Sequence, residues 1–440
     1  MTQNTTTNGQ RSTPQAVPGG RPGLVKQLAD AISGDDSFAK DAGGGLYLYH
    51  GGRYQPRAET PIGRRVKELL EAADLTRRWS SYGTREVVAY IGVDAPELWE
   101  RPPLTLINVA NGLLDVQTRQ LRPHRSDFLS PVQLPLNYDP AAACPAWERF
   151  VAEVFPGDAR SLAFEILAWL MLPDTSIQKA VLLLGEGANG KSTYLTAVAA
   201  FLGRENITAL SLHKLESDRF AAARLVGKLA NICPDLPSDR LAGTSLFKAL
   251  TGGDVINAER KFRDSFEFTP YARLVFSAND PPRSADASHA FFRRWVAVPF
   301  ARTFEPSEQV PRNVMDSRLS EPGELSGVLN KALAALDAFR KRGGFTESES
   351  VRAAFGEFQA ITDPLVVWLD AATQEAPDAM VAKDELLSRY NSAARWDGRP
   401  IMTATAFGKG VKRLRPTVGE GQRMIDGKRV WVWVGLGLGR

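Results

Sequence analysis

The chain has 440 residues, long enough for two or three domains, and its 43% apolar and 24% charged residues are ordinary for a folded water-soluble protein. A net charge of +4 and a pI of about 9.0 give a mild basic balance that permits a nucleic-acid partner without requiring one. Two cysteines, Cys144 and Cys233, exclude a disulfide framework and a cysteine metal cage, and His50, His124, His213 and His289 lack metal-ligand spacing. The start is polar, without a signal-peptide pattern, and the most apolar helical stretch, Leu162 to Leu172, is short and holds Glu165. No membrane association is expected, and a reducing cytoplasm is the expected setting.

Taken in order, Met1 to about Gly23 is rich in Thr, Asn, Gly, Pro and Gln and is expected to be disordered. Leu24 to Ile32 predicts a short helix, and the polar run to Gly45 a linker. Leu46 to Tyr54 predicts an aromatic hairpin around Gly51-Gly52, and Pro61 to Ala73 a helix with Val66, Leu69 and Leu70 at helical spacing. Asn111-Gly112 between apolar runs marks a turn, followed by short strands and loops to Pro140. Helices are expected over Ala146 to Val154 and Ser161 to Leu172.

The most informative stretch comes next. Val181 to Leu184 is a short apolar run, then Gly185-Glu186-Gly187-Ala188-Asn189-Gly190-Lys191-Ser192-Thr193 opens a helix-compatible segment to Leu202. This is Gly-x-x-x-x-Gly-Lys-Ser between a buried strand and a helix, the context that a phosphate-binding loop requires. Glycines let successive N–H groups converge on a polyphosphate, and the helix N-terminus adds partial positive charge. Lys191 is placed to reach the β- and γ-phosphates and Ser192 to ligate Mg²⁺, so ATP and Mg²⁺ are the expected cofactors. Thr193 lines the loop without that metal role.

Leu225 to Pro237 predicts a second apolar strand, ending in Asp235, a carboxylate placed to hold Mg²⁺ or its water. Ile256 to Phe262 and Ser265 to Phe268 predict a hairpin with Arg260 and Lys261 near its tip. Such a tip suits either a phosphate backbone or plain solvation. Leu274 to Ala278 is a third buried strand, ending in Asn279, whose amide can position water or sense a γ-phosphate. Arg293 and Arg294 lie between aromatics in Phe291 to Trp295; an arginine there serves either a neighbouring subunit's phosphate or a structural ion pair, and spacing does not separate the two. Gly323 to Arg342 is helical and ends at Gly343-Gly344.

Beyond that, Leu365 to Ala371, Lys383 to Arg395 and Ala404 to Leu414 predict three helices, and Arg423 to Gly435 a hairpin about Asp426-Gly427. This order matches a winged helix. Lys409, Lys412 and Arg413 on the third helix, with Lys428 and Arg429 on the wing, favour DNA over a protein partner.

With these residues assembled, the chain resembles the superfamily III helicases of the phage and plasmid primase–helicase type, related to the poxvirus primase–helicase. The resemblance runs from about Tyr47 to the C-terminus and rests on Gly185 to Ser192, Gly227 to Ile232, Leu250 to Asp254, Phe276 to Asn279 and Phe291 to Trp295. It implies an α/β fold: an AAA+-like P-loop NTPase core with a small N-terminal α+β domain and a C-terminal winged helix. The expected domains are 1–45 disordered linker, 46–145 N-terminal domain, 146–345 helicase core and 346–440 winged helix. It further implies a homo-hexameric ring translocating 3′ to 5′ on single-stranded and forked DNA. Lys191 and Ser192 would form Walker A, Asp235 Walker B, Asn279 sensor 1, Arg293 or Arg294 the inter-subunit finger, and Arg260 with Lys261 the pore hairpin. Many relatives pair two acids at Walker B, whereas Pro234-Asp235-Leu236 offers one. The residues before Tyr47 are too few for a primase domain, so no primase activity is expected, and a separate primase or initiator is an expected partner. The alternative is a DNA-binding ATPase that loads another helicase without unwinding.

Overall fold

The computed structural model describes residues 23–439 apart from 240, 242, 285, 287 and 398–400. The segment before Gly23, expected to be disordered, lies outside the described residues. The chain divides into two compact units, residues up to His50 with Tyr54–Glu97, and Gly51–Arg53 with Leu98–Arg440.

In the first unit, α1 (Leu24–Asp35), β1 (Phe38–Lys40), β2 (Leu46–His50), β3 (Arg53–Pro56), α2 (Glu59–Ala72) and α3 (Ser81–Asp94) follow in order. The helix expected over Leu24 to Ile32 forms as α1, and the stretch to Gly45, expected to be linker, supplies β1; α1 packs because Leu28, Ala29 and Ile32 find an apolar partner surface. That surface comes from Ile62, Val66 and Leu70 of α2 and Val87 and Ile91 of α3, each set at the spacing that lines one helix face. The aromatic hairpin forms as β2 and β3, and β1 adds antiparallel to β2.

The second unit opens with an antiparallel sheet, β4 (Leu106–Val109), β5 (Gly112–Asp115) and β6 (Leu121–Arg122), then α4 (Pro145–Val154) and α5 (Arg160–Leu170). The next segment alternates β7 (Ala180–Leu184), α6 (Lys191–Leu202), β8 (Ile207–Thr208), α7 (Leu212–Ser217), β9 (Ala230–Cys233) and α8 (Ser245–Gly252). A hairpin, β10 (Ile256–Ala258) and β11 (Phe266–Phe268), precedes β12 (Arg273–Ala278), α9 (His289–Phe292) and β13 (Trp295–Pro299). Then come α10 (Arg312–Leu319), α11 (Pro322–Arg342) and α12 (Glu349–Thr362).

Five of these strands form one parallel sheet in the order β13-β7-β12-β9-β8. Both of its faces are covered, as continuous apolar strands require. Val181, Leu183 and Val275 point into a core with α4, α5, α6 and α11. Ala180, Leu182, Leu274 and Phe276 point the other way, against Phe247 of α8, Phe291, Trp295 and Phe358 of α12. The strand expected over Leu225 to Pro237 is shorter. Gly227 adopts φ +68° in a turn, so only Ala230–Cys233 extends, and Pro234 withholds the N–H that would continue the ladder.

The C-terminal part holds α13 (Pro364–Ala372), β14 (Thr373–Ala382), α14 (Lys383–Trp396), α15 (Ala404–Leu414), β15 (Gly419–Ile425) and β16 (Lys428–Leu438). The three expected helices and the hairpin form. The sequence reading missed β14, which pairs antiparallel with β16 across an irregularity between Glu375 and Met380. Leu365, Leu369, Leu386, Tyr390, Phe407, Val411 and Trp433 make its core.

One buried carboxylate ties the large core together. Glu165 on α5 is only 3% exposed and accepts hydrogen bonds from the Thr346 N–H and hydroxyl, while Arg342, at the end of α11, pairs with it at 2.9 Å. Removing it would leave the half-buried Thr346 N–H and hydroxyl, and the partly exposed Arg342 guanidinium, without their acceptor. Glu165→Ala is expected to cost about 3 kcal/mol and to lower the melting temperature by several degrees in a thermal scan, with Glu165→Gln losing less; equal melting of Glu165→Ala and wild type would show that the cluster contributes nothing.

Candidate active site

The loop Gly185 to Gly190 leaves the C-terminal end of β7 and delivers Lys191 to the first turn of α6. Its backbone needs its glycines: Gly185, Gly187 and Gly190 have φ of +154°, +127° and +87°. A Cβ on Gly185 would collide with the Phe300 carbonyl oxygen and the Asn189 side chain, and one on Gly190 with Val154, whereas Gly187 faces open space. Ala188, also left-handed at φ +45°, is held by the Phe304 N–H on its carbonyl at 2.8 Å. The Asn189 amide donates to the Phe300 carbonyl at 3.1 Å, so the segment after β13 braces the loop. Glu186 lies between the first two glycines, exposed.

Lys191 is 5% exposed, and its ammonium donates to the Gly185 carbonyl, to Asn189 Oδ1 at 3.1 Å and to Asn279 Oδ1 at 3.4 Å. Desolvation lowers its pKa below the ordinary lysine value. A buried ammonium held by neutral oxygens is an anion site, because charge taken out of water gains most from an opposite charge. Ser192 and Asp235 are exposed, and Thr193 is half-buried. Residue types and exposure suit Mg²⁺, which keeps several waters and takes few protein ligands. Among the described residues there is no cluster of three or more His, Cys, Asp or Glu able to hold a metal by itself.

Asn279 and Asp235 reach this edge because the strands are parallel. Ala278 pairs with Leu184, and Asn279 follows directly. Cys233 pairs with Phe276, and the Leu236 N–H bonds the Ser277 carbonyl at 2.8 Å, which carries Asp235 along the same sheet edge.

The two arginines lie at the other end. Trp295 pairs with Ala180, at the start of β7, and the Ala180 N–H bonds the Arg294 carbonyl at 2.6 Å. The length of β7, about 16 Å at ~3.3 Å per residue, separates them from the glycine loop of their own chain. They also differ from each other. Arg294 is buried, with Nε donating to Thr251 Oγ1 at 2.9 Å and Nη1 to the Ala290 carbonyl. Arg293 is exposed and bonds Gln178 Oε1 at 3.0 Å, while its carbonyl accepts from the Lys179 ammonium at 2.6 Å.

The expected β10–β11 hairpin forms, with Ile256 opposite Phe268 and Ala258 opposite Phe266. Arg260 lies 5.0 Å over the Phe266 ring and Lys261 5.1 Å from the Phe262 ring. Phe262 itself, which the sequence reading did not single out, is 94% exposed at φ +62°. The signal was present as an aromatic among Arg260, Lys261 and Arg263.

In the C-terminal part the five basic positions separate. Lys409, Lys428 and Arg429 are exposed. Lys412 is exposed but pairs with Glu420 at 2.8 Å. Arg413 pairs at 2.5 Å with Asp363, a nearly buried carboxylate ahead of α13, so its guanidinium holds the module's own helices together. Lys383, not singled out from the sequence, also pairs with Glu420 and lies 4.3 Å from the Trp433 ring.

Residues 25–156 match the family described as "D5 N terminal like", and residues 183–294 match one described as a family of unknown function, DUF5906. "Putative helicase 121R" of Invertebrate iridescent virus 3 is 25% identical over 250 residues, 52% of this chain and 26% of that protein. "Putative helicase L207/L206" of Acanthamoeba polyphaga mimivirus is 26% identical over 215 residues, 44% of this chain and 22% of that protein. The chain thus spans about a quarter of the length of these curated relatives. Among solved structures, the apo NrS-1 C terminal region aligns with a TM-score of 0.54 at 12% identity, covering 95% of this chain and all of that one. Its A form aligns at 0.52 and 11% identity, over 93% and 98%. At that identity the likeness carries the fold alone, a mixed α/β architecture with a parallel sheet. Among the described residues, no helix is long and apolar enough to cross a membrane. The domain match over residues 25–156 and the viral relatives named as helicases support a likeness to the D5-type primase–helicase family, and the shared fold agrees with it.

Proposed function

We propose that the chain is an ATP-dependent replicative DNA helicase of a phage, plasmid or integrated mobile element. In this reading residues 146–345 are an AAA+-like P-loop core, residues 346–440 a winged-helix DNA-binding domain, and six copies form a ring on single-stranded DNA in the host cytoplasm. Polarity of 3′ to 5′ is carried by family resemblance alone. The observation that supports the reading best is Lys191: a desolvated ammonium at the start of α6, on a glycine loop, with Asn279 of the neighbouring strand on the same nitrogen.

Bound ATP with Mg²⁺ supplies the phosphoanhydride that breaks when water attacks the γ-phosphorus. The N–H groups of the Gly185-to-Lys191 loop and the ammonium of Lys191 hold the β- and γ-phosphate charge. Ser192 and Asp235 hold the metal, Asp235 being the one acid of its segment. Asn279, within reach of Lys191, orients the water. Arg293 supplies charge stabilisation to the site of an adjacent copy, because its own loop lies at the opposite sheet edge and its guanidinium is exposed. Arg294 instead supports Arg293 from below through Thr251. Arg260 and Lys261 of the hairpin, and Lys409, Lys428 and Arg429 of the C-terminal module, contact the DNA backbone. Lys412 contributes once released from Glu420.

Lys191→Ala and Arg293→Ala are each expected to lower ATP hydrolysis about a thousandfold while folding normally. Mixed in equal amounts before assembly, the two inactive variants should recover about a quarter of wild-type activity, because that share of interfaces pairs an intact lysine with an intact arginine. No recovery would place the arginine within its own subunit's site or outside catalysis. Strand separation is read on a 3′-tailed fork with ATP and Mg²⁺. DNA-stimulated hydrolysis without strand release would replace the helicase reading with that of a loader for another helicase.

A further inference from the structure

The first unit carries a surface that the nucleotide site and the two basic modules do not use. Leu75 to Arg85 reads Leu-Thr-Arg-Arg-Trp-Ser-Ser-Tyr-Gly-Thr-Arg, with three arginines and no acid. Trp79 is 48% exposed and Tyr82 68% exposed, and Arg77, Arg78 and Arg85 are exposed beside them. Among the described residues, neither the Arg77 nor the Arg78 guanidinium is engaged by a hydrogen bond or ion pair.

The rings are held on ordered backbone. A 3₁₀ turn, Thr76–Arg78, closes with the Trp79 N–H on the Thr76 carbonyl at 3.1 Å. Ser80 then caps α3, its hydroxyl accepting from the Gly83 N–H at 2.9 Å. Val87 and Ile91 bury the inner face of α3, so Tyr82 and Arg85, three residues apart, share the outer face. Exposing a tryptophan and a tyrosine on a fixed turn forgoes their burial and gives the fold nothing in return.

We infer that Trp79 and Tyr82, with Arg77, Arg78 and Arg85, form a stacking platform for single-stranded nucleic acid in the N-terminal unit. Aromatic rings stack on unpaired bases whatever their sequence, and surrounding arginines neutralise the phosphates. A duplex hides its base faces, so the platform selects single strands. Arginine, tryptophan and tyrosine also serve protein interfaces, so what favours a polyanion is charge: three arginines and no acid within eleven residues. The inference extends the proposed function by a third DNA contact, and its test separates the two.

The test uses the full chain and a fluorescein-labelled oligothymidylate, with affinity read by anisotropy across a salt series. Trp79→Ala with Tyr82→Ala should weaken binding about tenfold or more. Arg77→Gln with Arg78→Gln should reduce the slope of log affinity against log salt by about 1.4, at ~0.7 per lost phosphate contact. Both variants should keep the wild-type melting temperature and DNA-free ATP hydrolysis, since every altered side chain is exposed. Wild-type affinity and slope in both variants, while Arg260→Ala with Lys261→Ala loses binding, would overturn this inference and leave the proposed function standing. A changed sedimentation coefficient with DNA binding intact would make the patch a protein contact and also overturn it. Failure of the wild-type chain to bind the oligonucleotide would remove both readings.

Discussion

The arrangement of the second unit depends on keeping one ammonium charged in a place with little water. Lys191 is nearly buried, and three neutral oxygens share its charge. Each is supplied by a different constraint: the Gly185 carbonyl by a left-handed turn, the Asn189 amide by its anchorage on Phe300, and the Asn279 amide by the register of β12 against β7. Burial pulls the lysine pKa down, so the fold spends stability to keep the proton. What it gains is field strength, because a charge in a low dielectric attracts a phosphate far more strongly than one in bulk water. Glycine is required here sterically, and β13 and β12, paired to either side of β7, fix the base of the loop.

The same parallel sheet that gathers Lys191, Asn279 and Asp235 at one edge sends Arg293 and Arg294 to the other. No side-chain motion carries an arginine along the length of β7. If an arginine serves catalysis, it serves another copy. A contact that joins the arginine edge of one copy to the loop edge of the next is head-to-tail, and repetition of such a contact closes into a ring or runs on as a filament. Sheet polarity together with exposure thus favours a head-to-tail contact, of which the proposed ring is one closure. It also explains the division of labour between adjacent arginines: Arg294, tied to Thr251 and the Ala290 carbonyl, fixes the backbone from which Arg293 projects.

Legibility from the sequence followed the range of the interactions involved. The glycine loop, the three apolar strands and the Asn279 strand end were readable because each is set by consecutive residues: a phosphate-loop spacing, continuous burial, a polar residue at a strand end. The length of β9 was not, since Leu225 to Ile232 is apolar enough for a longer strand and only the turn at Gly227 stops it. Strand β14 carries Pro377 and little alternation, and it exists because β16 offers it a ladder. Helix α1 was legible in its apolar spacing, whereas β1 lay within the stretch read as linker and exists because β2 offers it a ladder. The aromatic patch at Trp79 was invisible for the opposite reason: an isolated tryptophan in a sequence reads as core, and only the fold shows it facing outward.

Charge in the C-terminal module shows where counting residues fails and pairing decides. Five basic side chains sit on the third helix and the wing, yet they are not equal as phosphate ligands. Arg413 is bound to Asp363, whose side chain is only 9% exposed; drawing it away would strand a buried carboxylate, which costs several kcal/mol. Lys412 and Lys383 share Glu420 at an exposed position, and a surface pair of that kind contributes about 0–1 kcal/mol. A phosphate would therefore displace Glu420 from Lys412 at smaller cost than Asp363 from Arg413. Glu420 offsets the charge of the two lysines that pair with it. If the module binds a polyanion, its face is narrower than the sequence suggests: Lys409, Lys412, Lys428 and Arg429 are exposed, while Arg413, which the sequence reading gave to DNA, secures the helix packing behind them.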